Sequence, residues 1–363
     1  MSVDTEPGPA VRPEPRAPRW SPGPVLHAGT TVSLRVRPRV LTVGALLVVV
    51  VACLSATTLA LGDMGVAPHR LATVLAGGGE ATESFVLERL RGPRLAVAVG
   101  TGAALGIAGA LFQSVTRNPL GSPDVIGLGA GAGAGAALVA LALPGVVPVP
   151  FGALAGAGLA IALVTVVTGT GLRHPGRLIV AGIGVAAMAQ AFTHFVVSVM
   201  ARDRAAVLAS YLNGSLGARS WEHVVIIWVV LLLTAPLLTA LAGRIRTGEM
   251  GDAIAAGLGA SPGPTRVMAI VLSVVLTAAA VSVAGPIAFV SLTAPQIARR
   301  LSGVSGPNIA LSALVGAVLL VAADLAVQHS PGGAGLPVGI FTMALGGVHL
   351  GYLLLREWRR GVL

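Results

Sequence analysis

The chain has 363 residues, of which 55% are apolar and only 10% charged, with a formal net charge of +10. So few charges cannot cover the surface of a water-soluble protein of this length. Apolar runs of about 20 residues, enough to cross a bilayer core, recur along it, so a soluble fold is excluded. Every one of the 24 basic residues is arginine, and without lysine no standard phosphate-binding loop for ATP can form on this chain.

Residues 1–39 are rich in proline and arginine and lack apolar periodicity, which predicts a disordered cytoplasmic tail. The first apolar run, 40–62, is too long for the core of a secretory signal and follows a long tail, so it reads as an uncleaved first span. Further spans are predicted at 93–113, 124–143, 147–171, 177–200, 222–243, 264–283, 285–301, 308–328 and 336–356, ten in all. The 285–301 element is short and opens on Gly285-Pro286. With the N-terminus inside, cytoplasmic segments hold 17 arginines and outer segments 7, which favours that orientation and puts both termini in the cytoplasm. The basic excess is thereby explained by topology, and no nucleic-acid partner is expected. Cys53 stands alone in an apolar run, which predicts a small buried hydrophobe and excludes an intrachain disulfide.

Gly102, Gly106 and Gly109 share one helical face, as do Gly127, Gly131 and Gly135. Small residues at this spacing let helices approach closely in lipid, so these spans belong near the centre of a tight bundle. Between them the polar turn TRNPLGSPD carries Asn118-Pro119 and Ser122-Pro123, dipeptides that turn the chain and start a helix, and Asp124 suits a first helical turn.

Arg91-Gly92-Pro93-Arg94, the Gly/Ala-rich span after it and Thr116–Asp124 together resemble the FecCD family of ABC-importer permeases. Leu212–Leu216 with Trp221, Gly251–Gly259, Val283–Val290, Ala323-Asp324-Leu325 and Leu336–Ile340 match further motifs of that family in order. The resemblance covers about residues 40 to 356. Gly92 departs from the usual Leu, and Gln296 stands where many members carry His, so it keeps hydrogen-bonding capacity without titrating near neutrality. The resemblance implies an all-α membrane fold of the type II, BtuC-like kind. It has ten transmembrane helices in a permease domain at 40–358, with a cytoplasmic coupling loop at 244–266.

The function so implied is the permease subunit of an ATP-driven importer. It would move an iron(III)–siderophore complex, or alternatively vitamin B12 or haem, from an extracytoplasmic binding protein across the bacterial plasma membrane. The implied partners are a second permease subunit, more often a paralogue than an identical copy, two ATP-binding-cassette ATPase subunits that carry the ATP, and the binding protein. No cofactor, metal site or catalytic residue is expected on this chain. The coupling residues are Glu249, Gly251, Asp252, Ala253, Ile254, Ala255, Ala256, Gly257, Leu258 and Gly259, a short helix ended by glycine whose apolar face suits a groove on an ATPase. Arg91 and Arg94 are implied to dock carboxylates of the binding protein. Asn118, Pro119, Gly285, Pro286, Gln296 and Asp324 are motif positions of the fold or pathway. The break at Gly285-Pro286 is expected to pack the short span near the ATPase side. Asp324 is an intramembrane acid with either a functional or a structural hydrogen-bonding role, and His194 is expected to be a neutral, packed histidine. An ion-gradient carrier is the rival within transport, a membrane-embedded enzyme the rival outside it. The first would show inverted repeats and paired intramembrane charges, the second a catalytic constellation, and neither is evident.

Overall fold

The computed structural model describes residues 37–61, 65–169, 175–330 and 336–359, together with the backbone of 25–28 and 32–35. Contacts divide the chain into Met1–Thr42 and Val43–Leu363. In the first unit, Val25–Ala28 (β1) and Val32–Arg35 (β2) pair antiparallel. This is order where the sequence predicted none: each strand is too short for periodicity to reveal, and pairing rather than pattern defines it.

The second unit is all helical among the described residues. Helix α1 (Pro38–Ala60) enters it from the first. Two single turns, α2 (Leu71–Leu75) and α3 (Ala81–Phe85), follow, and a π-helical turn at Val86–Arg91 runs on into α4 (Gly92–Thr116). A 3-10 turn at Pro123–Ile126 precedes α5 (Leu128–Ala142), α6 (Val149–Thr168) and α7 (Pro175–Val199). Then come the short α8 (Arg202–Leu212), α9 (Trp221–Gly248), the single-turn α10 (Asp252–Gly257) and α11 (Pro262–Ala284). Helices α12 (Val290–Ser302), α13 (Ile309–His329) and α14 (Val338–Arg359) complete it. Among the described residues, seven helices are long and apolar enough to cross a membrane, and two shorter apolar helices accompany them. The chain is an integral membrane protein.

Burial orders the bundle. Of the most apolar window of Ala81–Thr116, 78% is buried, against 6% for α1. Helix α4 is therefore the axis and α1 a lipid-facing helix. Cys53 on α1 is exposed rather than buried, because its helix is the least covered of the spans. The predicted small-residue stripe is the reason α4 can be central. A β-carbon on Gly102, Gly106 or Gly109 would collide with the carbonyls of Gly316, Ser312 and Ser291 respectively. Backbone therefore touches backbone across α4, α13 and α12, where lipid offers little hydrophobic drive for pairing. The α5–α6 contact is built the same way, with Gly131 and Gly135 against Gly156 and Gly152. Ser273 on α11 donates to the Ala108 carbonyl at 2.8 Å, a buried hydroxyl satisfied by helix backbone. The Gly92 departure also has a cause: a side chain there would collide with the Leu87 carbonyl at the π-to-α junction.

The break after α11 is a knot of three motifs. Gly285 has φ +75°, and its α-carbon faces the Tyr211 carbonyl so closely that no side chain fits. Ser215 N–H donates to Ala284 O at 2.8 Å, and Gly339 N–H to Gly214 O at 3.1 Å. The sequence put the start of the short span at Gly285-Pro286; α12 instead begins at Val290. The break lies at the end of α11 remote from α10, some 33 Å along a 23-residue helix, not beside the coupling segment. A helix-breaking dipeptide marks where the chain turns, not the end of the helix at which the turn sits.

Candidate functional site: an exposed apolar row, a turn and a cavity

Gly251, with φ +111°, turns the chain out of α9 and into α10, and Gly259, with φ +77°, ends the excursion. Ala255 is fully buried and anchors the single turn against the bundle. Met250, Ile254 and Leu258 recur every four residues and are 63%, 55% and 67% exposed. Three large apolar side chains thus project together from a segment tied down by its other face, a pattern that marks a contact surface. Glu249 is half-buried and caps the end of α9.

Asp252, at the start of α10, is the tie. Its carboxylate meets Arg117, the last residue of the α4 cap, in a short contact, and Arg266 of α11 at 3.1 Å through both oxygens. Arg117 also donates to Gly248 O at 2.8 Å. Hydrogen bonding from Arg117, then from Arg266, holds the Asp252 carboxyl below the usual carboxylate range, although partial burial opposes it.

Arg117 opens the predicted turn, and the turn is stiff. The Asn118 side chain accepts from Leu120 N–H at 2.9 Å, and Gln296 of α12 donates to the Pro119 carbonyl at 2.8 Å. Gln296 thus uses the hydrogen-bonding capacity expected of it, as a clasp on this turn. At the far end Ser122 and Ser291 lie 2.9 Å apart, and each hydroxyl donates to Asp124 Oδ2 at 3.0 Å. Gln113 joins the same face of α12, donating to Leu292 O at 2.9 Å and accepting from Arg299 at 2.6 Å.

Asp124 borders a cavity of about 660 Å³ whose wall also includes Gln190, Thr193, His194, Asn213 and Pro286. The cavity therefore runs from the turn at one end to the three-motif knot at the other. His194 is exposed on this wall, not packed as expected. The face of α7 that carries Gln190, Thr193 and His194 lines a cavity and not a core, and periodicity alone cannot tell these apart. Pro286 reaches the wall because the Gly285 turn carries the chain across it.

The arginines expected to face outward turn into the chain. Arg94 grips Asp324 through two nitrogens, at 2.7 to 3.1 Å, and Gln328 donates to the same carboxylate at 2.7 Å. Asp324 is 1% exposed, so this is a nearly buried, satisfied ion pair joining α4 to α13. Arg91 donates to the carbonyls of Thr58 (2.8 Å), Leu59 (3.3 Å) and Leu61, at the C-terminal end of α1. There it satisfies acceptors that a helix end leaves open. The sequence reading overlooked Arg117, Arg266, Ser122 and Ser291 as site residues. Arg117 and Ser122 stand inside the quoted turn motif, whereas nothing local marks Arg266 or Ser291.

A family model described as the FecCD transport family matches residues 46–356. The chain belongs to the FecCD family. The ferric enterobactin transport system permease protein FepG of Escherichia coli is 38% identical over 291 residues, covering 79% of this chain and 87% of that protein. The Fe(3+)-citrate import system permease protein YfmE of Bacillus subtilis is 34% identical over 318 residues, covering 87% and 95%. The Fe(3+) dicitrate transport system permease protein FecD of E. coli is 33% identical, covering 86% and 98%. A solved structure described as an inward-facing conformation of a metal-chelate type ABC transporter aligns with TM-score 0.77. It is 23% identical and covers 87% of this chain and 99% of that one. The fold of this FecCD member is thus that of an ABC-transporter permease.

Proposed function

We propose that the chain is the permease subunit of an ATP-driven ABC importer that carries an iron(III)–siderophore complex into the cytoplasm. The exposed apolar row Met250, Ile254 and Leu258 on an anchored turn carries the reading: a membrane subunit with no nucleotide loop of its own needs a surface on which an ATPase can act. The named iron-chelate systems of its relatives support the substrate class. On this reading ten helices cross the plasma membrane: the nine apolar ones and the shorter α12. Both termini lie in the cytoplasm, two ATPase subunits sit beneath α10, and a binding protein delivers cargo outside.

The cavity beside Asp124 forms one half of the pathway, and a second permease subunit closes it. Among its lining residues Asp124, Gln190, Thr193, His194 and Asn213 offer hydrogen bonds, which suits an oxygen-rich chelate. Docking of the binding protein at Arg94 would compete with Asp324, and at Arg91 with the end of α1, so docking there entails exchange of partners. The ion-gradient alternative loses its best candidate residue, since Asp324 is already neutralised by Arg94.

The test is uptake of radiolabelled iron, supplied as enterobactin, citrate and hydroxamate chelates, in cells with and without the chain, beside labelled vitamin B12 and haem. Loss of one ferric chelate with the others intact is expected. Loss of B12 or haem uptake alone would overturn the substrate class.

A further inference from the structure

The turn at 117–124 meets the coupling surface at one end and the cavity at the other. Arg117 reaches from the end of α4 to Asp252 and Gly248. The chain then passes Asn118, pinned by its own side chain, Pro119, clasped by Gln296, and Pro123. It arrives at Asp124, which is bonded to Ser291 at the start of α12 and borders the cavity. Arg117 itself adopts φ +50°, an uncommon backbone state for a residue with a side chain, held by its N–H to the Gln113 carbonyl and its side chain on α10. Between the two ends the turn holds two prolines, and backbone or side-chain hydrogen bonds fix the amides of Asn118, Leu120, Gly121 and Asp124, so the segment moves as one piece.

Stability does not explain the ion bridge. The Arg117 and Asp252 side chains are 43% and 51% exposed, and pairs so placed contribute at most about 1 kcal/mol. Solvation at that end leaves the bridge free to transmit position without holding the fold together.

We propose that Arg117 is a positioning residue for transport: through Asp252 it makes the turn follow α10, and through Asp124 and Ser291 the turn moves the cavity wall beside α12. The inference rests on the permease reading above. Arg266, which shares Asp252, ties α11 to the same movement.

The experiment reconstitutes the whole transporter in liposomes, with its ATPases, second permease and binding protein, and measures both ATP hydrolysed and iron delivered, using the ferric chelate that cells require the chain to import. Arg117→Gln is expected to lower iron delivered per ATP roughly two- to thirty-fold, the range found for residues that carry coupling without touching ligand. The complex is expected to assemble and hydrolyse ATP as before. Arg117→Lys, which restores a charge opposite Asp252, recovers part of the ratio. Ser291→Ala, at the other end of the turn, lowers the ratio as well. Arg117→Gln combined with Asp252→Asn is no worse than the more severe single change, because both break one link. An unchanged ratio in Arg117→Gln, or hydrolysis and uptake falling in parallel, would overturn the proposal. Fully additive single changes would do the same. A wild-type complex that hydrolyses ATP without delivering iron would overturn the permease reading itself, and this inference with it.

Discussion

Arg94→Ala leaves the Asp324 carboxylate nearly buried with only Gln328 and is expected to cost about 3 kcal/mol. Arg94→Met with Asp324→Leu, which removes both charges, should recover most of that. Thermal melts in detergent check the order: the single change well below wild type, the double close to it. Asp324 was legible as an acid out of place in an apolar run, because an unpaired carboxylate is costly there. Its partner lies 230 residues away, and no local pattern names it. His194 was misread for the opposite reason. Its place on an apolar helix suggested packing, and only the tertiary arrangement puts it on a cavity wall.

Asp252 carries a pH prediction. Its folded-state carboxyl is held below the ordinary value of 3.8, so the bridge to Arg117 and Arg266 is present above that value and is lost as pH falls through the lowered one. Transport coupling should therefore be flat with respect to this group from neutrality down to about pH 5. A sharp loss of iron delivered per ATP between pH 7 and 6, abolished by Asp252→Asn, would contradict the assignment.

At the scale of elements, the seven long apolar helices found among the described residues were legible because a bilayer demands length and apolarity, and both are written locally. The centrality of α4 was also legible, since a row of glycines has meaning only where backbones meet. Gly106→Leu is expected to separate α4 from α13 and prevent a stable bundle, because the Ser312 carbonyl occupies the space a side chain needs. Recovery of a monodisperse, folded protein carrying this change would refute the packing. The position of α12 was not legible. Its 13 residues are amphipathic and too short for a span signal, and the Gly285-Pro286 break preceding it belongs to the knot with Gly214 and Gly339. That knot explains why three separated motifs occur together: each supplies a backbone that the others touch. The single-turn α10 was legible from its glycine ends, but its direction was not, since only burial of Ala255 shows which face points out. Ile254→Asp is expected to abolish co-purification of the ATPase subunits while leaving the permease folded, because it puts a charge into an apolar contact. Retained co-purification would remove α10 from the interface.

At the scale of the whole molecule, the chain joins two features: an exposed apolar row at one end and a cavity with five polar lining residues in its flank, connected by a stiff turn. Composition excludes a standard phosphate-binding loop on this chain, and the proposed function therefore places ATP hydrolysis on partner subunits. The proposed function has ATP hydrolysed on partner subunits drive a ferric chelate through this permease. Liposomes holding the complete transporter, with ATP inside and binding protein plus ferric chelate outside, are the decisive test. Uptake is expected to need internal ATP, to stop with a non-hydrolysable analogue and to survive ionophores that collapse proton and sodium gradients. Uptake that persists without ATP and disappears with the ionophores would contradict it.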